Sequence, residues 1–466
     1  MNTSVEQTIQ DAAAQHIDQS NQSFAKLRLV ANTQWKTVEV NGEDVEIPQG
    51  WDVKKIGDIT ICLDNIRKPL SQKERAFKKG LIPYWGANSI VDYVNEYLFN
   101  GKCILLGEDA APFFDKSKKV SFVISGKIWP NNHIHILQTT QDYEYLSLKL
   151  NDFDYSKVLN TKDRPKLTQG TMNRMEIAFP PLSEQTLIAQ ILTTQEEHVA
   201  NLKQQSSVQR KRLDWLTSEL LTGRILVHED INGEPTVLER DDQGNVLKSL
   251  PAVTMSANTQ WKTVEVNGED VEIPQWWDVK KIGNDINFTL GYTPSKTGTN
   301  YKGDIPWITI SNLDNSGHVK NFTALIKNSR TRILPKGSLI GSFKMTIGRF
   351  GITCMDAVTN EAIVGAAPND APLHDLNYLR FALVSPFKKG AVTNGQGVQL
   401  LNTKIIKSLQ FISPQKSEQT LIAQILTTQE EHISSLDKAI ELEEQRLAWL
   451  TDELLSGRIL VEEVTK

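Results

Sequence analysis

Residues 183–198 read SEQTLIAQILTTQEEH, and the same string returns at 417–432. From the first copy onward, apolar residues fall at Ile188, Leu192, Val199, Leu202, Leu213, Leu216 and Leu220, interrupted by Gln195, Ser206 and Gln209. From the second onward they fall at Ile422, Leu426, Ile433, Leu436, Ile440, Leu447, Leu450 and Leu454, interrupted by Gln429 and Glu443. Spacings of three and four held over about five heptads describe a coiled-coil seam. At 1.5 Å per residue each predicted helix is about 55–60 Å long. Ser183 and Ser417 are the expected N-caps, each followed by a glutamate in the first turn. Gly223 and Gly457 provide the stops after Leu221 and Leu455. The simplest partner for each helix is the other, paired antiparallel. The alternative is two separate amphipathic helices, each packed on its own domain.

A second string also occurs twice. Residues 31–57 read ANTQWKTVEVNGEDVEIPQGWDVKKIG, and residues 257–283 differ from it only in Trp276 for Gly50. Its core, TVEV-NG-EDVEI, sets two alternating runs around Asn-Gly, the residue pair of a type I′ hairpin turn. Between the repeated frames lie two blocks that share little beyond traces. Gly80-Leu81-Ile82-Pro83-Tyr84 resembles Gly303-Asp304-Ile305-Pro306-Trp307, and Gly101-Lys102-Cys103-Ile104-Leu105 resembles Gly337-Ser338-Leu339-Ile340. Matched frames around divergent inserts suggest one scaffold presenting two specificities; recent duplication with neutral drift is the other reading. Short apolar runs such as KCILLGED and DIPWITIS, broken by Gly, Pro and Asn, read as strand-rich mixed α/β domains.

The predicted fold class is therefore α+β: two mixed α/β domains separated by a long antiparallel two-helix coiled coil, in a pseudo-twofold tandem repeat. The expected order is an N-terminal helical extension (1–30, with an amphipathic helix over 5–29), a hairpin frame (31–57) and a first domain (58–182). A first spacer helix (183–222) and an acidic linker (223–256) with a hairpin around Asp241–Gly244 follow. A second frame (257–283), a second domain (284–414), a second spacer helix (415–456) and a C-terminal tail (457–466) complete it.

The chain of 466 residues is long enough for several domains, and its 39% hydrophobic and 23% charged residues suit a globular protein. The first residues carry neither the basic nor the apolar region of a secretory signal, and no apolar run reaches membrane-spanning length. Cys62, Cys103 and Cys354 are too far apart for a disulfide framework or zinc cluster, so a reducing cytoplasm is expected. The net charge of −5 is unevenly placed. Residues 51–180 carry +4 and residues 277–413 carry +8, leaving −17 elsewhere. Two basic blocks set among acidic segments fit a protein that meets phosphates with some parts and proteins with others; chance segregation gives the same numbers.

Searches for chemistry return little. Phe179-Pro180-Pro181-Leu182 lacks the acidic or amide residue and the aromatic of a base-methylation motif, and reads as a stiff lead into the helix. There is no phosphate loop, and Asn394-Gly395-Gln396-Gly397 lacks a strand-turn-helix setting. Asp52-Val53-Lys54 fits a nuclease only loosely. His133 and His135, two apart on an expected strand, have no third metal ligand near them in sequence. No catalytic residue and no metal site is therefore assigned.

DNA reading needs residue types more than motifs: cations for phosphates, amides, hydroxyls and arginine for base edges. The first block offers Lys116, Lys118 and Lys119, with Tyr84, Trp85 and Asn88, Asn132, Lys166 and Gln169. The second offers Thr309, Ser311 and Asn312, then Lys344, Thr346 and Arg349, then Gln396 and Gln399. Any one of these is also an ordinary solvated loop residue.

The order of elements resembles the specificity subunit of type I restriction–modification systems. The resemblance is carried by Ile47-Pro48 and Trp51 with Lys55-Ile56-Gly57, by their copy at 273–283, and by Pro180-Pro181-Leu182-Ser183-Glu184-Gln185. In the blocks it is carried by PYWGANSIVDYVNEYLFNGKCILLGEDAA, GKIWPNNHIHIL and IPWITISNLD. The second copy departs at Pro414-Gln415-Lys416-Ser417, where Pro-Pro-Leu is missing. The resemblance implies two target-recognition domains, each reading half of a split, asymmetric double-stranded DNA site, with the helices setting the unread spacer. It implies two modification subunits that use S-adenosylmethionine, and two restriction subunits that use ATP and Mg2+. The chain itself would be non-catalytic, bind no cofactor and work in the cytoplasm. Half-sites about one helical turn, roughly 34–36 Å, apart would suit helices of this length. The competing class of function is a non-catalytic two-domain scaffold that binds proteins or carbohydrate.

Overall fold

Asn41 sits at φ 53° and Gly42 at 81°, the left-handed pair of a type I′ turn, and Asn267 and Gly268 repeat it at 52° and 83°. The hairpins they close are the foundations of two units. This computed structural model describes residues 27–159, 164–240, 246–294, 302–314, 317–327, 332–393 and 399–463. One unit is built from residues up to Asn201 together with those from Ile440 onward, the other from Leu202–Ala439.

The first unit runs through β1 (Leu27–Ala31), β2 (Trp35–Val40), β3 (Glu43–Pro48), β4 (Asp52–Lys55), α1 (Ile56–Ile59), β5 (Thr60–Cys62) and α2 (Gln72–Phe77). It continues with β6 (Lys79–Trp85), β7 (Ile90–Val94), β8 (Phe99–Gly107), β9 (Ser121–Pro130), β10 (Ile134–Thr139), α3 (Tyr143–Asp152), α4 (Gln169–Arg174), β11 (Glu176–Phe179) and the start of α5 (Leu182–Leu221). A six-stranded sheet, ordered β5-β10-β8-β9-β6-β7, is its centre. Every pair in it is antiparallel except β6–β9. The main core joins Ile104, Leu106 and Leu137 of the sheet, Leu146 and Leu150 of α3, and the frame residues Ile47 and Trp51 to Ile188 and Leu192 of α5.

The second unit contains β12 (Ile225–Glu229), β13 (Thr236–Arg240), β14 (Val246–Leu250), β15 (Val253–Ala257), β16 (Trp261–Val266), β17 (Glu269–Pro274), β18 (Asp278–Lys281), α6 (Ile282–Asp285) and β19 (Thr289–Leu290). Then come β20 (Ile305–Ile308), β21 (His318–Val319), β22 (Ala324–Ile326), β23 (Leu339–Ser342), β24 (Phe350–Thr353), β25 (Val358–Thr359), β26 (Ile363–Ala366), α7 (Leu376–Ala382) and α8 (Val384–Gly390). It closes with β27 (Val392–Thr393), β28 (Gln399–Leu400), α9 (Thr403–Ser408), β29 (Gln410–Ser413) and the start of α10 (Lys416–Ser456). Its main sheet is ordered β19-β26-β23-β24-β21, and the first four strands repeat β5-β10-β8-β9 of the first unit. A parallel pairing of β20 with β25 stands where β6 meets β9. The two divergent blocks thus share a four-strand order, while β21 beside β24 and the separate β22-β20-β25 sheet belong to the second alone.

The frames are tied to their domains by the turn asparagine. Asn41 donates its backbone N–H to the Glu176 carboxylate at 2.8 Å and its side-chain amide to the Glu176 carbonyl at 2.8 Å, and its side-chain oxygen accepts from Glu176 N at 2.9 Å. Asn267 makes the same three bonds to Gln410. The fixed start of each long helix has a matching reason. The Gln185 side chain accepts from the backbone of Asp142, the cap of α3, while Thr186 donates to the Asp142 carboxylate at 3.1 Å. Gln419 and Thr420 repeat this on Asp375, the cap of α7.

Within each unit the long helices run antiparallel. In the second unit Ser206 donates to Asp437 at 2.9 Å, and Gln429 donates to Gln209 at 2.8 Å. In the first, Gln195 donates to Glu443 at 2.5 Å, while Leu450 and Leu454 share a core with Ile188 and Leu192. Ten seam positions are buried: Ile188, Leu192, Val199, Leu216, Leu220, Ile422, Leu426, Ile433, Leu450 and Leu454. Leu202, Leu213, Leu436, Ile440 and Leu447 are half-buried. The polar residues that interrupt the sequence pattern are the residues that bond across it.

Several expectations need correction. Ser183 and Ser417 lie inside the first turn and are not N-caps, because the helices begin at Leu182 and Lys416. Pro181 precedes the first helix, and the Gln185 side chain turns back to the Pro180 carbonyl. Leu27 is not the end of a helix over 5–29. It opens β1, which pairs with β30 (Ile459–Glu463), so the expected C-terminal tail also holds a strand. Residues 1–26 lie outside the described residues. In the acidic linker β12 pairs with β15 and β13 with β14, although Asp241–Gly244 lie outside the described residues. The stops are as expected: Gly223 and Gly457 have φ of 68° and 75°. An added methyl at Gly457 would meet Pro48 at 2.3 Å, and at Gly223 it would meet Pro274 at 2.4 Å.

Candidate nucleic-acid interface

In the first unit, four loops converge at one edge of the sheet. Asn131 N donates to the Trp85 carbonyl at 3.1 Å, Glu108 N to the His133 carbonyl at 2.9 Å, and Leu167 N to the Glu108 carbonyl at 2.7 Å. These bonds stitch together the turns at 86–89, 107–111, 131–133 and 165–168. Gly107 is required there, since a Cβ would meet Ala111 at 2.4 Å and the Ala87 carbonyl at 2.9 Å. The convergence gathers half-buried Asn88 with exposed Asn132, Lys166 and Gln169. Gln169 is the first residue of α4, which is capped by Thr168.

Beneath these loops lies a charge network absent from the sequence reading. Arg67 bonds Glu108 at 2.5 Å and Asp64 at 3.0 Å, and Lys166 stands 3.4 Å from Glu108. His135 is fully buried, with Nδ1 2.6 Å from the Asp64 carboxylate and Nε2 2.7 Å from the Leu167 carbonyl. Burial pushes against ionisation of Asp64, but His135, the Cys62 hydrogen bond and the Arg67 charge together outweigh it and hold the carboxyl below its usual value. Burial, with help from Asp64, pushes the Cys62 thiol up to about 12. Cys62, Asp64 and His135 lie within 4.8 Å of one another. Both ring nitrogens of His135 face protein oxygens and Arg67 is already on Asp64, so the trio is a structural network rather than a set of ligands. His133 is in a turn, not a strand, 3.3 Å from Asp109.

Tyr84 and Trp85, expected among the DNA-reading residues, are buried. Successive strand residues point to opposite faces, and both faces of β6 are covered here. Tyr84 enters a cluster with Leu70, Val94 and Trp129, its hydroxyl accepting from Leu70 N at 2.9 Å. Trp85 enters another with Leu105, Ile128 and Ile136. Lys116, Lys118 and Lys119 are exposed but lie apart from the convergence. Lys116 reaches the Phe153 carbonyl at 3.3 Å, Lys118 pairs with Asp115 at 2.9 Å, and Lys119 pairs with Glu196 of α5 at 2.7 Å.

In the second unit, Thr309, Ser311 and Asn312 form a mesh with Thr323. The Thr309 hydroxyl is 2.8 Å from that of Ser311 and 2.7 Å from that of Thr323, which donates to the Asn312 side-chain oxygen at 2.7 Å. The loop 343–349 is strapped around buried Ser342, whose hydroxyl contacts the Thr346 carbonyl and accepts from Arg349 N at 3.1 Å. The loop exposes Thr346 and Arg349, half-buries Lys344 over the Phe343 ring, and holds Met345 outward at φ 63°. The Arg349 guanidinium reaches the Leu313 carbonyl at 3.5 Å, which brings this loop beside the mesh. Thr346, Arg349 and Lys388 share a cleft of about 790 Å³ with the buried Arg380–Glu430 pair. Met345 and Lys388 were missed; the only sequence signal was their setting among chosen residues. Gln399 lies in β28, paired to β27, and Gln396 lies outside the described residues.

Among the described residues no helix is long and apolar enough to cross a membrane. The family model for the type I restriction modification DNA specificity domain matches residues 48–209 and 274–451. The chain is similar to the type I restriction enzyme MjaVIII specificity subunit of Methanocaldococcus jannaschii, 22% identical over 432 residues, covering 90% of this chain and 95% of that one. It is also similar to the MjaIX specificity subunit of the same organism, 29% identical over 196 residues, covering 40% and 45%. The matches of higher identity span under half the length of the curated relatives. Among solved structures, a type I restriction-modification system S subunit from M. genitalium aligns with a TM-score of 0.54 at 12% identity, over 88% of this chain and 96% of that one.

Proposed function

Because this chain belongs to the type I restriction-modification DNA specificity family, matched across both of its domains, we propose that each domain reads one half of a split, asymmetric site in double-stranded DNA. Residues 58–182 and 284–414 are the two target-recognition domains, and the long helices over 183–222 and 415–456 set the unread spacer. The observation that carries this reading is one sheet order used twice with unlike loop chemistry. An amide-and-lysine cluster (Asn88, Asn132, Lys166, Gln169) tops the first sheet, and a hydroxyl-and-arginine cluster (Thr309, Ser311, Thr346, Arg349) tops the second. Such sets hold phosphates and read base edges.

The chain is non-catalytic and holds no cofactor of its own. It positions two modification subunits, which use S-adenosylmethionine, and two restriction subunits, which use ATP and Mg2+, in the cytoplasm. The test is duplex binding by the full chain assembled with modification subunits. Affinity should fall steeply as salt rises, since each phosphate contact releases counterions. Salt-insensitive binding of a protein or glycan would favour the scaffold reading instead.

A further inference from the structure

The two most exposed large apolar residues of the first domain flank the corner where α2 enters β6. Phe77 is 90% exposed and Leu81 is 91% exposed. Exposed apolar surface of this kind marks a contact that the isolated chain does not make. The corner is modestly basic: Lys68, Lys73, Arg75, Lys78 and Lys79 stand there with Glu74, and Asp92 and Glu96 face them from β7 and the turn after it, a net charge of +2. Lys78 and Lys79 pair with Glu96 and Asp92 across the hairpin, and Lys68 and Lys73 make no ion pair among the described residues.

The corner is rigid. Ser71 and Glu74 form a reciprocal capping box at the start of α2, with Ser71 N donating to the Glu74 carboxylate at 2.7 Å. Arg75 clamps the Leu70 carbonyl at 2.7 Å and Asp92 at 3.1 Å. Gly80 lies so close to the neighbouring chain that a Cβ would meet Asn95 at 2.5 Å. Two apolar side chains are thus held outward on a braced, lysine-rich corner. Lysine is depleted from protein–protein interfaces, whereas nucleic-acid interfaces are strongly positive. Leucine and phenylalanine on basic surfaces act as wedges that unstack a base step and kink the duplex.

We propose that this corner is an apolar wedge that presses Phe77 and Leu81 against a base step of the bound duplex, so that the first domain distorts its half-site as well as reading it. The proposal rests on the DNA-reading function above. In the second domain Asp304 occupies the place of Leu81, three residues ahead of the parallel pairing with β25, so the Leu81 half of the wedge is not repeated there.

The test uses the full chain with its modification subunits and a duplex that the complex selects from a random pool. Permanganate reactivity of thymines along the duplex reports unstacking. Wild type should show one reactive step, in one half-site only. Phe77→Ala/Leu81→Ala should abolish it and weaken binding about tenfold, roughly 1.4 kcal/mol, with the salt slope unchanged. Lys73→Ala should lower the salt slope by about one instead. Unaltered affinity and unstacking in the double variant would overturn the wedge, as would loss of subunit assembly, which would give the patch to a protein partner. A wild-type complex with no salt-dependent duplex binding would sink the underlying reading and is distinguishable from either.

Discussion

Gln195 of α5 donates its side-chain amide to the buried carboxylate of Glu443 of α10 at 2.5 Å. The counterpart of Gln195 in the second repeat is Gln429, and the counterpart of Glu443 is Gln209. Those two meet at 2.8 Å in the other unit. Each long helix therefore carries both halves of a polar lock, and the lock closes only when the helices run antiparallel. Polar seam residues select register at a cost in stability.

Removing one partner should be worse than removing both. Gln195→Leu leaves Glu443 buried with, among the described residues, Arg446 at 3.4 Å as its remaining partner, and should lower stability by about 1–3 kcal/mol. Gln195→Leu/Glu443→Leu should recover that loss. Urea unfolding of the three proteins decides it, and a double variant no more stable than the single would contradict the account.

The same lock constrains spacer engineering. Seven residues inserted into α5 alone, between Val199 and Ser206, put the two polar pairs out of register. Matching insertions in α5 and α10 restore them. The single insertion should lower the melting temperature, and the paired one should not. Under the proposed function the paired variant should also lengthen the unread spacer by about 10 Å, roughly three base pairs. Sequencing of methylated sites in a host carrying the whole system would read this directly.

Glu418 predicts a pH effect. Its carboxylate accepts from the buried Trp277 indole at 2.9 Å, yet burial raises its pKa. Glu184 and Glu430 are raised for the same reason. A carboxyl raised on folding favours the native state below its unfolded value and loses that advantage as pH rises through the folded value. Glu418→Gln keeps an oxygen for Trp277 and removes the cost of ionisation. Its melting temperature should exceed wild type at pH 7, with the gap shrinking toward pH 4. A gap that widened on acidification would be the wrong sign.

Asn41 combines two roles that substitutions can separate. Asn41→Gly keeps the left-handed turn and loses the side-chain bonds to Glu176. Asn41→Ala loses the bonds and adds the left-handed penalty of about 1–2 kcal/mol. Unfolding free energies should therefore fall in the order wild type, Gly, Ala. Equal losses for the two variants would mean that the turn conformation carries no weight.

In the first domain, burial separates readers from core. Lys166→Ala should weaken duplex binding across sequences and reduce the salt slope by about one, with folding intact. Trp85→Ala should instead cost about 3–5 kcal/mol of stability. A Trp85 variant that folds normally but binds DNA poorly would return this residue to the interface.

The long helices, their length and the type I′ hairpins were legible because each rests on local rules: a 3-4 apolar spacing, Asn-Gly between alternating runs, a glycine stop. The same rules misplaced Ser183 and Ser417, since the docking of Gln185 and Gln419 on α3 and α7 takes over the start of each helix. Tyr84 and Trp85 misled because an aromatic pair beside Gly-Ala-Asn looks like a loop until both faces of the end of β6 are seen to be covered. The Asp64–His135–Glu108 network was invisible, since its members come from three separate strand ends and loops.

What the chain's order of residues decided alone is the duplicated plan: which segments are helix or hairpin, and which seam positions are apolar. Such features depend on neighbours a few residues away. Folding in three dimensions decided which loops meet, which polar residues find partners, and which apolar side chains, Phe77 and Leu81 among them, are left facing outward. Those outcomes depend on contacts between residues tens to hundreds of positions apart, and no local pattern encodes them.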